Sequence, residues 1–555
     1  MKHFNQIFTQ RRIFWIFSGI MLVPNIFLCF TEQLPLLFKV SYILIPGALY
    51  LLLLILSRKP GITFWALFPL HFIGAFQLVL LYLFGNSIIA SDMFLNMFTT
   101  NSGEAFELLD KLAPAVVGVF LLYLPALALA VYSIRRTETL TPLFQKRVFM
   151  LAMLMIGSGI LVYTPAHRKY PHTARLDNLY PINAFNNARF AVDSWEAAKN
   201  YPRTSRKFDY RATSTRDTEL PEIYIFVIGE TSRAGNWGLY GYERNTTPKL
   251  DAMPDVIHFD DVLTQINATH KSVPLMLCPA DALNYNEIYR QKSLISAFKQ
   301  AGFHTSFLSN QLRNGSFTEF FADEADCTIY FAAPKNKPHL HDDVLLSAVD
   351  SLLNIGKTKQ LIILHTYGSH FNYCERYNTD CRIFTPDHIK EIDHKNKQAM
   401  INAYDNSIVA TDKFLAQVID KLDRTGKTSA MLYLSDHGED LLDDERNRFL
   451  HASPIPTYYQ LHIPFVIWFS DNYSTLFPDD IRQARNRHTT PFDSLLGIGG
   501  IETEYRDDRL SLISPSFHLE KRYYVGEQNI PIPVRRLPLE EEDLQAFERY
   551  GISPR

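Results

Sequence analysis

The sequence predicts a chain in two parts: an N-terminal bundle of five membrane-spanning helices, then an α/β domain with a mostly parallel sheet covered by helices. Three observations carry this. Five long apolar stretches precede residue 165. After residue 219, short β-branched and aromatic runs alternate with amphipathic helical patterns. Finally, 555 residues are too many for one ordinary core, and 40 Phe in a chain of mean hydropathy −0.07 point to a very apolar part beside a polar one.

The apolar stretches run over 13–30, 40–56, 64–84, 112–131 and 148–163. Most approach the ~20 residues that cross a bilayer. Four stretches follow the first, which favours a polytopic anchor over a cleaved leader. Lys2, Arg11 and Arg12 precede the first stretch, Arg58 and Lys59 follow the second, and Arg135, Arg136, Lys146 and Arg147 follow the fourth. These are alternate loops, and the positive-inside rule makes their side cytoplasmic. The loop 86–110 falls opposite and carries Asp92, Glu104, Glu107 and Asp110 without Lys or Arg. Five crossings then deliver everything after residue 163 to the periplasmic side of an inner membrane.

Five cysteines are present. Cys29 lies in an apolar run. Cys278, Cys327, Cys374 and Cys381 lie in the polar part, where an oxidising compartment allows pairing, and the short Cys374–Cys381 spacing makes that pair the expected one. Formal net charge is −3, which gives no reason to expect a nucleic-acid partner.

The domains expected are a membrane part over 1–163, a polar linker over 164–218 that lies on the membrane surface, and a periplasmic catalytic domain over 219–555. In the last, apolar runs at 222–228, 304–308, 361–364, 430–434 and 465–469 read as buried strands, with helical patterns at 292–300, 342–353 and 398–422 between them. Ligands of such sheets bind beyond the carboxyl ends of the strands. Polar groups collect there: Glu230 after the first run, His365, Ser369 and His370 after the third, and Asp436, His437 and Glu439 after the fourth.

Each motif has a bland and a chemical reading. Ser435-Asp436-His437-Gly438-Glu439 is either a turn with a helix cap, or a sharp turn at Gly438 that brings Asp436 and His437 to one zinc ion. Gly229-Glu230-Thr231-Ser232-Arg233 is either a capped helix start or the source of a third ligand, Glu230. Thr269 sits in what is by itself an ordinary turn; beside zinc held by Glu230, Asp436 and His437, its alkoxide is a natural fourth ligand and nucleophile. His370, His451 and His462 are either structural or sit near a phosphoryl group or second metal.

Taken together, Gly229-Glu230-Thr231-Ser232-Arg233-Ala234 with Asn236-Trp237-Gly238-Leu239, Thr269-x-x-Ser272-Val273-Pro274, Leu364-His365-x-x-Gly368-Ser369-His370, Ser435-Asp436-His437-Gly438-Glu439, Leu450-His451-Ala452 and His462-Ile463-Pro464 resemble, in this order, the phosphoethanolamine transferases of Gram-negative envelopes. These include the lipid A-modifying and colistin-resistance enzymes, within the alkaline phosphatase and sulfatase superfamily. The resemblance implies a zinc-dependent transferase with one tight zinc site made by Glu230, Thr269, Asp436 and His437, and room for a second zinc. It implies Thr269 as nucleophile, with His370 and His451 as catalytic and substrate-contacting residues, His462 among the substrate-binding residues, and Asn96, Thr100 and Glu104 as lipid-side contacts. The donor implied is phosphatidylethanolamine. The acceptor implied is lipid A, lipopolysaccharide core or another envelope glycan. Phe371-Asn372 stands where the family often has Gly-Pro, and Gln265 where it often has Cys. Three alternatives stay open: another lipid donor, another acceptor glycan, and a catalytically inactive membrane sensor. A sulfatase is disfavoured, because Cys278-Pro279-Ala280-Asp281 does not supply Cys-x-Pro-x-Arg.

Overall fold

A computed structural model describes residues 8–32, 34–84, 88–99, 112–169, 176, 179–331, 340–389, 392, 394–446, 448–453, 455–484, 491–518, 521–552 and 554. The chain divides into two compact units, one formed mainly within residues 1–192 and the other mainly within 193–555.

The first unit is helical. Its elements are α1 (Gln10–Thr31), α2 (Leu36–Leu54), α3 (Pro60–Ala66), α4 (Phe68–Phe84), α5 (Ser91–Thr99), α6 (Ala113–Arg135) and α7 (Pro142–Lys169). Four of these, α1, α2, α6 and α7, are long and apolar enough to cross a membrane alone. The third expected span is instead two helices, α3 and α4, bent by 65°. The sequence supplies the reason. Pro69 has no N–H to continue the α3 ladder but is tolerated in the first turn of a helix, so α3 ends before Leu67 and a new helix starts at Phe68. A ring nitrogen of His71 meets the carbonyl of Phe64 across the break at 2.8 Å, pairing a group that lipid cannot. The break is seated in the bundle by Phe17 stacked on Phe64, ring centroids 4.1 Å apart. The fifth span, short by apolar count, is a 28-residue helix that runs on into His167, Arg168 and Lys169.

The protein is thus a multi-pass membrane protein by the length and apolar composition of these helices, and the positive-inside rule assigns its basic loops to the cytoplasmic side. A reporter fused just after Lys169 is expected to be active only when its fold matures outside the cytoplasm. A fusion at Arg136 is expected to behave oppositely, and the reverse pair of results would overturn the orientation.

The second unit is built on seven strands: β1 (Glu222–Gly229), β2 (Val256–His258), β3 (His304–Ser309), β4 (Cys327–Tyr330), β5 (Lys359–His365), β6 (Thr428–Ser435) and β7 (Phe465–Phe469). Their order is β2-β7-β6-β1-β5-β3-β4. The central pairs β1 with β5, β1 with β6, and β3 with β5 are parallel, while β7 runs antiparallel to both β6 and β2. Every residue of β1, β5 and β6 is buried, as continuous apolar runs in a sheet covered on both faces require. The five runs read from sequence are five of these strands. The edge strands β2 and β4 are short, and their apolar pattern is too weak to separate from loops.

The segment read as a linker is helical over α8 (Ile182–Lys199), and a further turn covers Tyr201–Thr204. Tyr201 is buried against Phe317 and Phe321 and donates to Glu324 at 2.5 Å. The end of that segment is therefore part of the second unit's core.

The expected Cys374–Cys381 disulfide is not formed, and all five cysteines are free. Cys381 is buried in a small apolar cluster with Tyr377 and Val409, while the Cys374 thiol donates to the carbonyl of Asp387 at 2.9 Å. The two thiols are held by different neighbours.

Candidate metal centre and nucleophile

Because β5, β1 and β6 are adjacent and parallel, the chain leaves all three at the same edge of the sheet. Backbone bonds pin the three exits together: Asp436 N donates to Gly229 O at 3.1 Å, Thr366 N to Ile228 O at 3.1 Å, and Ser369 N to Glu230 O at 3.0 Å. Two glycines make this closeness possible. At Gly438 a Cβ would lie 2.1 Å from Tyr459 O, so the requirement is close approach of two backbones and not a left-handed turn. Gly368 has φ +50°, and a Cβ there would lie 2.6 Å from Glu230 O. Gly368→Ala is accordingly expected to cost about 2 kcal/mol or more in strain and to push Glu230 out of place. Thermal denaturation and zinc titration of the variant check both parts, and wild-type values for both would refute the argument.

Glu230, Asp436 and His437 converge at this edge, one ligand atom from each lying within 4.8 Å of the others. All three are buried. Among the described residues this is the one group of three such side chains so converged. His437 Nδ1 faces Gly438 O at 2.9 Å, which turns Nε2 toward the carboxylates, 3.3 Å from Asp436 Oδ2 and 3.6 Å from Glu230 Oε1. Asp436 Oδ1 accepts from Thr231 N and His437 N at 2.9 and 2.8 Å. Its Oδ2 is buried without a hydrogen-bond partner among the described residues. Burial, and then the charge of Asp436, push the Glu230 carboxyl above its usual range. Two buried carboxylates, one of them with an orphaned oxygen, and an imidazole nitrogen form a donor set that fits a divalent cation of zinc type.

Thr269 opens helix α9 (Thr269–Leu277). Its Oγ1 lies 3.0 Å from His437 Nε2 and 3.1 Å from Glu230 Oε1, inside the same group. Both Ser272 and Thr264 donate to Asp436 O at 2.7 Å and tie the start of this helix to the β6 exit. A hydroxyl at a helix N-terminus and against metal ligands sits where negative charge on oxygen is stabilised.

The other residues anticipated from sequence separate into three sets. His451 and His370 adjoin the group, with ring centroids 4.1 Å from His437 to His451 and 6.1 Å from His370 to His451. Burial first, and then the neighbouring imidazoles, hold His451 well below the usual histidine range, so it is neutral. His462 makes different contacts. Tyr458 OH meets its Nδ1 at 2.6 Å and Asp260 O its Nε2 at 2.8 Å. Both nitrogens are committed within the fold, and burial lowers its pKa to about 4. Thr100 and Glu104 lie outside the described residues, as does the side chain of Asn96, whose backbone is in α5.

The part played by several residues at the site escaped the sequence reading. Thr231, fully buried at φ +59°, donates its hydroxyl to Glu230 Oε1 at 2.6 Å. A β-branched residue in the left-handed region is strained, and here the strain places one side chain and one N–H on two of the candidate ligands, Glu230 and Asp436. Gln311, just past the end of β3, donates to Glu230 Oε2 at 2.8 Å and to Thr366 O at 3.0 Å. The strand-end rule that singled out Glu230 would have found Gln311 had it been applied to β3. Glu439, buried with its carboxyl pushed well up by burial and by Glu230, faces His451 Nδ1 at 3.4 Å.

A parallel-centred sheet with carboxylate and imidazole ligands and a threonine hydroxyl at its carboxyl edge defines the alkaline phosphatase and sulfatase class of metal-dependent group-transfer folds. The sulfatase family model matches residues 222–501, and the model for phosphoethanolamine transferase EptA/EptB matches residues 46–175. The chain belongs to the sulfatase family, and over residues 46–175 it is similar to phosphoethanolamine transferase EptA/EptB. It is 32% identical over 313 residues to the Kdo(2)-lipid A phosphoethanolamine 7''-transferase of Salmonella typhimurium. That match takes 53% of this chain and spans about half, 54%, of the relative. The C-terminal periplasmic domain of EptC from Escherichia coli, solved in complex with Zn, superposes with TM-score 0.54 at 27% identity, over 59% of this chain and 96% of that one. The integral membrane protein lipooligosaccharide phosphoethanolamine transferase A (EptA) from Neisseria meningitidis shares the fold along 91% of this chain and 98% of its own, with TM-score 0.72 at 22% identity.

Proposed function

We propose that the protein transfers phosphoethanolamine from phosphatidylethanolamine to an envelope glycolipid, lipid A or lipopolysaccharide core, through an ester on Thr269. The observation that carries this reading is the Thr269 hydroxyl, 3.0 Å from His437 Nε2 and 3.1 Å from Glu230 Oε1 within the converged metal-ligand group. Glu230, Asp436, His437 and Thr269 would hold one zinc ion, the metal present in the EptC domain. Zinc, when bound, supplies positive charge that lowers the pKa of the threonine hydroxyl and offsets charge on the transferring phosphoryl group. The chain's own residues do the rest. Helix α9 aims Oγ1 of Thr269 at phosphorus. The bond from Thr269 Oγ1 to phosphorus forms as the bond from phosphorus to the diacylglycerol oxygen breaks. That oxygen takes up the proton given up by Thr269. His370 and neutral His451 bind the phosphoryl oxygens beside His437. In the second half-reaction a phosphate or hydroxyl oxygen of the acceptor displaces Thr269 and restores its hydroxyl. A membrane-anchored catalytic unit suits this chemistry, because donor and acceptor are both confined to a lipid surface.

The test is incubation of purified full-length protein with phosphatidylethanolamine, followed by peptide mass analysis. A phosphoethanolamine adduct on Thr269, with diacylglycerol released in equal amount, is expected. Envelope glycolipids from cells with and without the protein then identify the acceptor by mass. Diacylglycerol release without an adduct would replace the covalent route by direct transfer, and failure to consume the donor would reject the reading.

A further inference from the structure

Besides their direct contacts, the three loops that meet at the site all bond to one buried side chain. Gln460 lies in the short helical turn Tyr458–Leu461 and is fully buried. Its Nε2 donates to Asp440 Oδ2 at 2.5 Å and to Leu450 O at 3.3 Å. Its Oε1 accepts from Asn267 Nδ2 at 2.5 Å and from Ser453 Oγ at 3.0 Å. Asn267 is two residues before Thr269, Leu450 one before His451, and Asp440 three after His437. The same residue's backbone carbonyl accepts from Gly438 N at 2.9 Å.

The surroundings close the network. Asn267 Nδ2 also donates to Ser453 O at 2.9 Å, its Oδ1 accepts from Tyr524 OH at 2.7 Å, and Ala452 N donates to Asn267 O at 2.9 Å. Asp440 Oδ1 accepts from Thr457 Oγ1 at 2.6 Å. Leu450 and Ala452, on either side of His451, both have positive φ, +65° and +58°. Such a conformation persists in non-glycine residues only when its surroundings over-determine it. The bonds to Leu450 O, Ser453 and Ala452 N supply that constraint.

We propose that Gln460 is the positioning residue that fixes the nucleophile turn and the His451 loop relative to each other. This rests on the transferase reading above. Only a carboxamide of this length offers a donor edge to Asp440 and Leu450 together with an acceptor edge to Asn267 and Ser453. The Gln460 side chain touches none of the candidate zinc ligands, so its removal acts on the alignment of Thr269 with His451 and leaves Glu230, Asp436 and His437 in place. A fully satisfied buried network of this kind is where one altered group is felt by all the others.

The experiment uses purified full-length protein and four forms: wild type, Gln460→Met, Gln460→Glu, and Gln460→Glu combined with Asp440→Asn. Gln460→Met keeps length and loses every side-chain bond. Gln460→Glu turns the donor edge into a carboxylate facing Asp440. Asp440→Asn makes that facing group a donor again and restores the pair with its polarity reversed. Zinc content, thermal midpoint, hydrogen exchange over 267–269 and 449–453, and kcat and KM for donor consumption are measured on each. Gln460→Met and Gln460→Glu are expected to retain one zinc and to lower kcat about 100-fold with KM changed less than about threefold, the pattern of a misaligned site. Exchange over both segments is expected to rise, and the double variant to recover to within about tenfold of wild type. Wild-type kcat in Gln460→Met, or no recovery in the double variant while it folds and holds zinc, would overturn the proposal. If Gln460→Met fails to fold, the rescue pair alone decides it, and failure of that pair to fold as well reduces Gln460 to a packing residue and overturns it too. Wild-type protein that consumes no donor would reject the transferase reading instead, and the exchange pattern still tests whether Gln460 couples the two segments.

Discussion

Thr269→Ala should yield a folded, zinc-containing protein that forms no phosphoethanolamine adduct and consumes phosphatidylethanolamine on the order of 10³-fold more slowly, or not at all. Thr269 is half-buried at the first position of α9, and its hydroxyl bonds only within the site, to Glu230 and His437. Removing it therefore leaves the helix, the Ser272 tether to Asp436 O and the sheet intact. Alanine is also a good helix former, so the thermal midpoint should move little. The hydroxyl is, however, the one group from which the ester can be built. Thr269→Ser keeps an oxygen without the methyl that restricts its rotamer, and a partial rate is expected. Intact-mass analysis after incubation with donor separates the three forms. A stable Thr269→Ala protein that modifies glycolipid at the wild-type rate would remove this residue from the mechanism.

The second large effect is expected at Asp436. Asp436→Ala removes a candidate ligand and also strips the acceptor from Thr231 N and His437 N, both buried. Each stranded N–H costs about 1–3 kcal/mol, so this variant loses metal and stability together. Asp436→Asn separates the two. Its remaining carbonyl oxygen can still accept from both N–H groups, while the orphaned Oδ2 is replaced by an amide nitrogen that cannot ligate a metal. The expected result for Asp436→Asn is a near-wild-type thermal midpoint in the absence of metal. Its zinc affinity should fall by more than the roughly 10–100-fold that outer-shell substitutions cost. Competitive chelator titration and calorimetry on the same sample read both quantities. Undiminished zinc affinity in Asp436→Asn would exclude Asp436 from the metal centre.

Much of this protein was readable along the chain, because its strongest signals are local. A membrane crossing is a property of about twenty consecutive residues and the charges beside them, so the spans and their orientation stand in the sequence. Strands β1, β5 and β6 are buried on both faces, which makes each a continuous apolar run. The carboxyl-end rule for parallel sheets then points at Glu230, Asp436 and His437 without knowledge of the contacts. The break at Leu67 was legible too, through Pro69, but an uninterrupted apolar count conceals it.

What only the tertiary structure decided is which distant groups share a hydrogen bond. His462 has the same look in sequence as His370 and His451. What sets it apart is that Tyr458 OH and Asp260 O occupy its two nitrogens. Cys374 and Cys381 are seven residues apart, yet the chain between them folds so that one thiol meets a carbonyl and the other an apolar cluster. Gln311 and Gln460 carry no motif, since a side-chain amide becomes a support only when its partner arrives from 81 or 193 residues away, as Glu230 and Asn267 do here. Composition and periodicity record which residues are buried. They do not record partner choice across the sheet edge, because the energy of a buried polar pair depends on distance and direction in space and not on spacing along the chain.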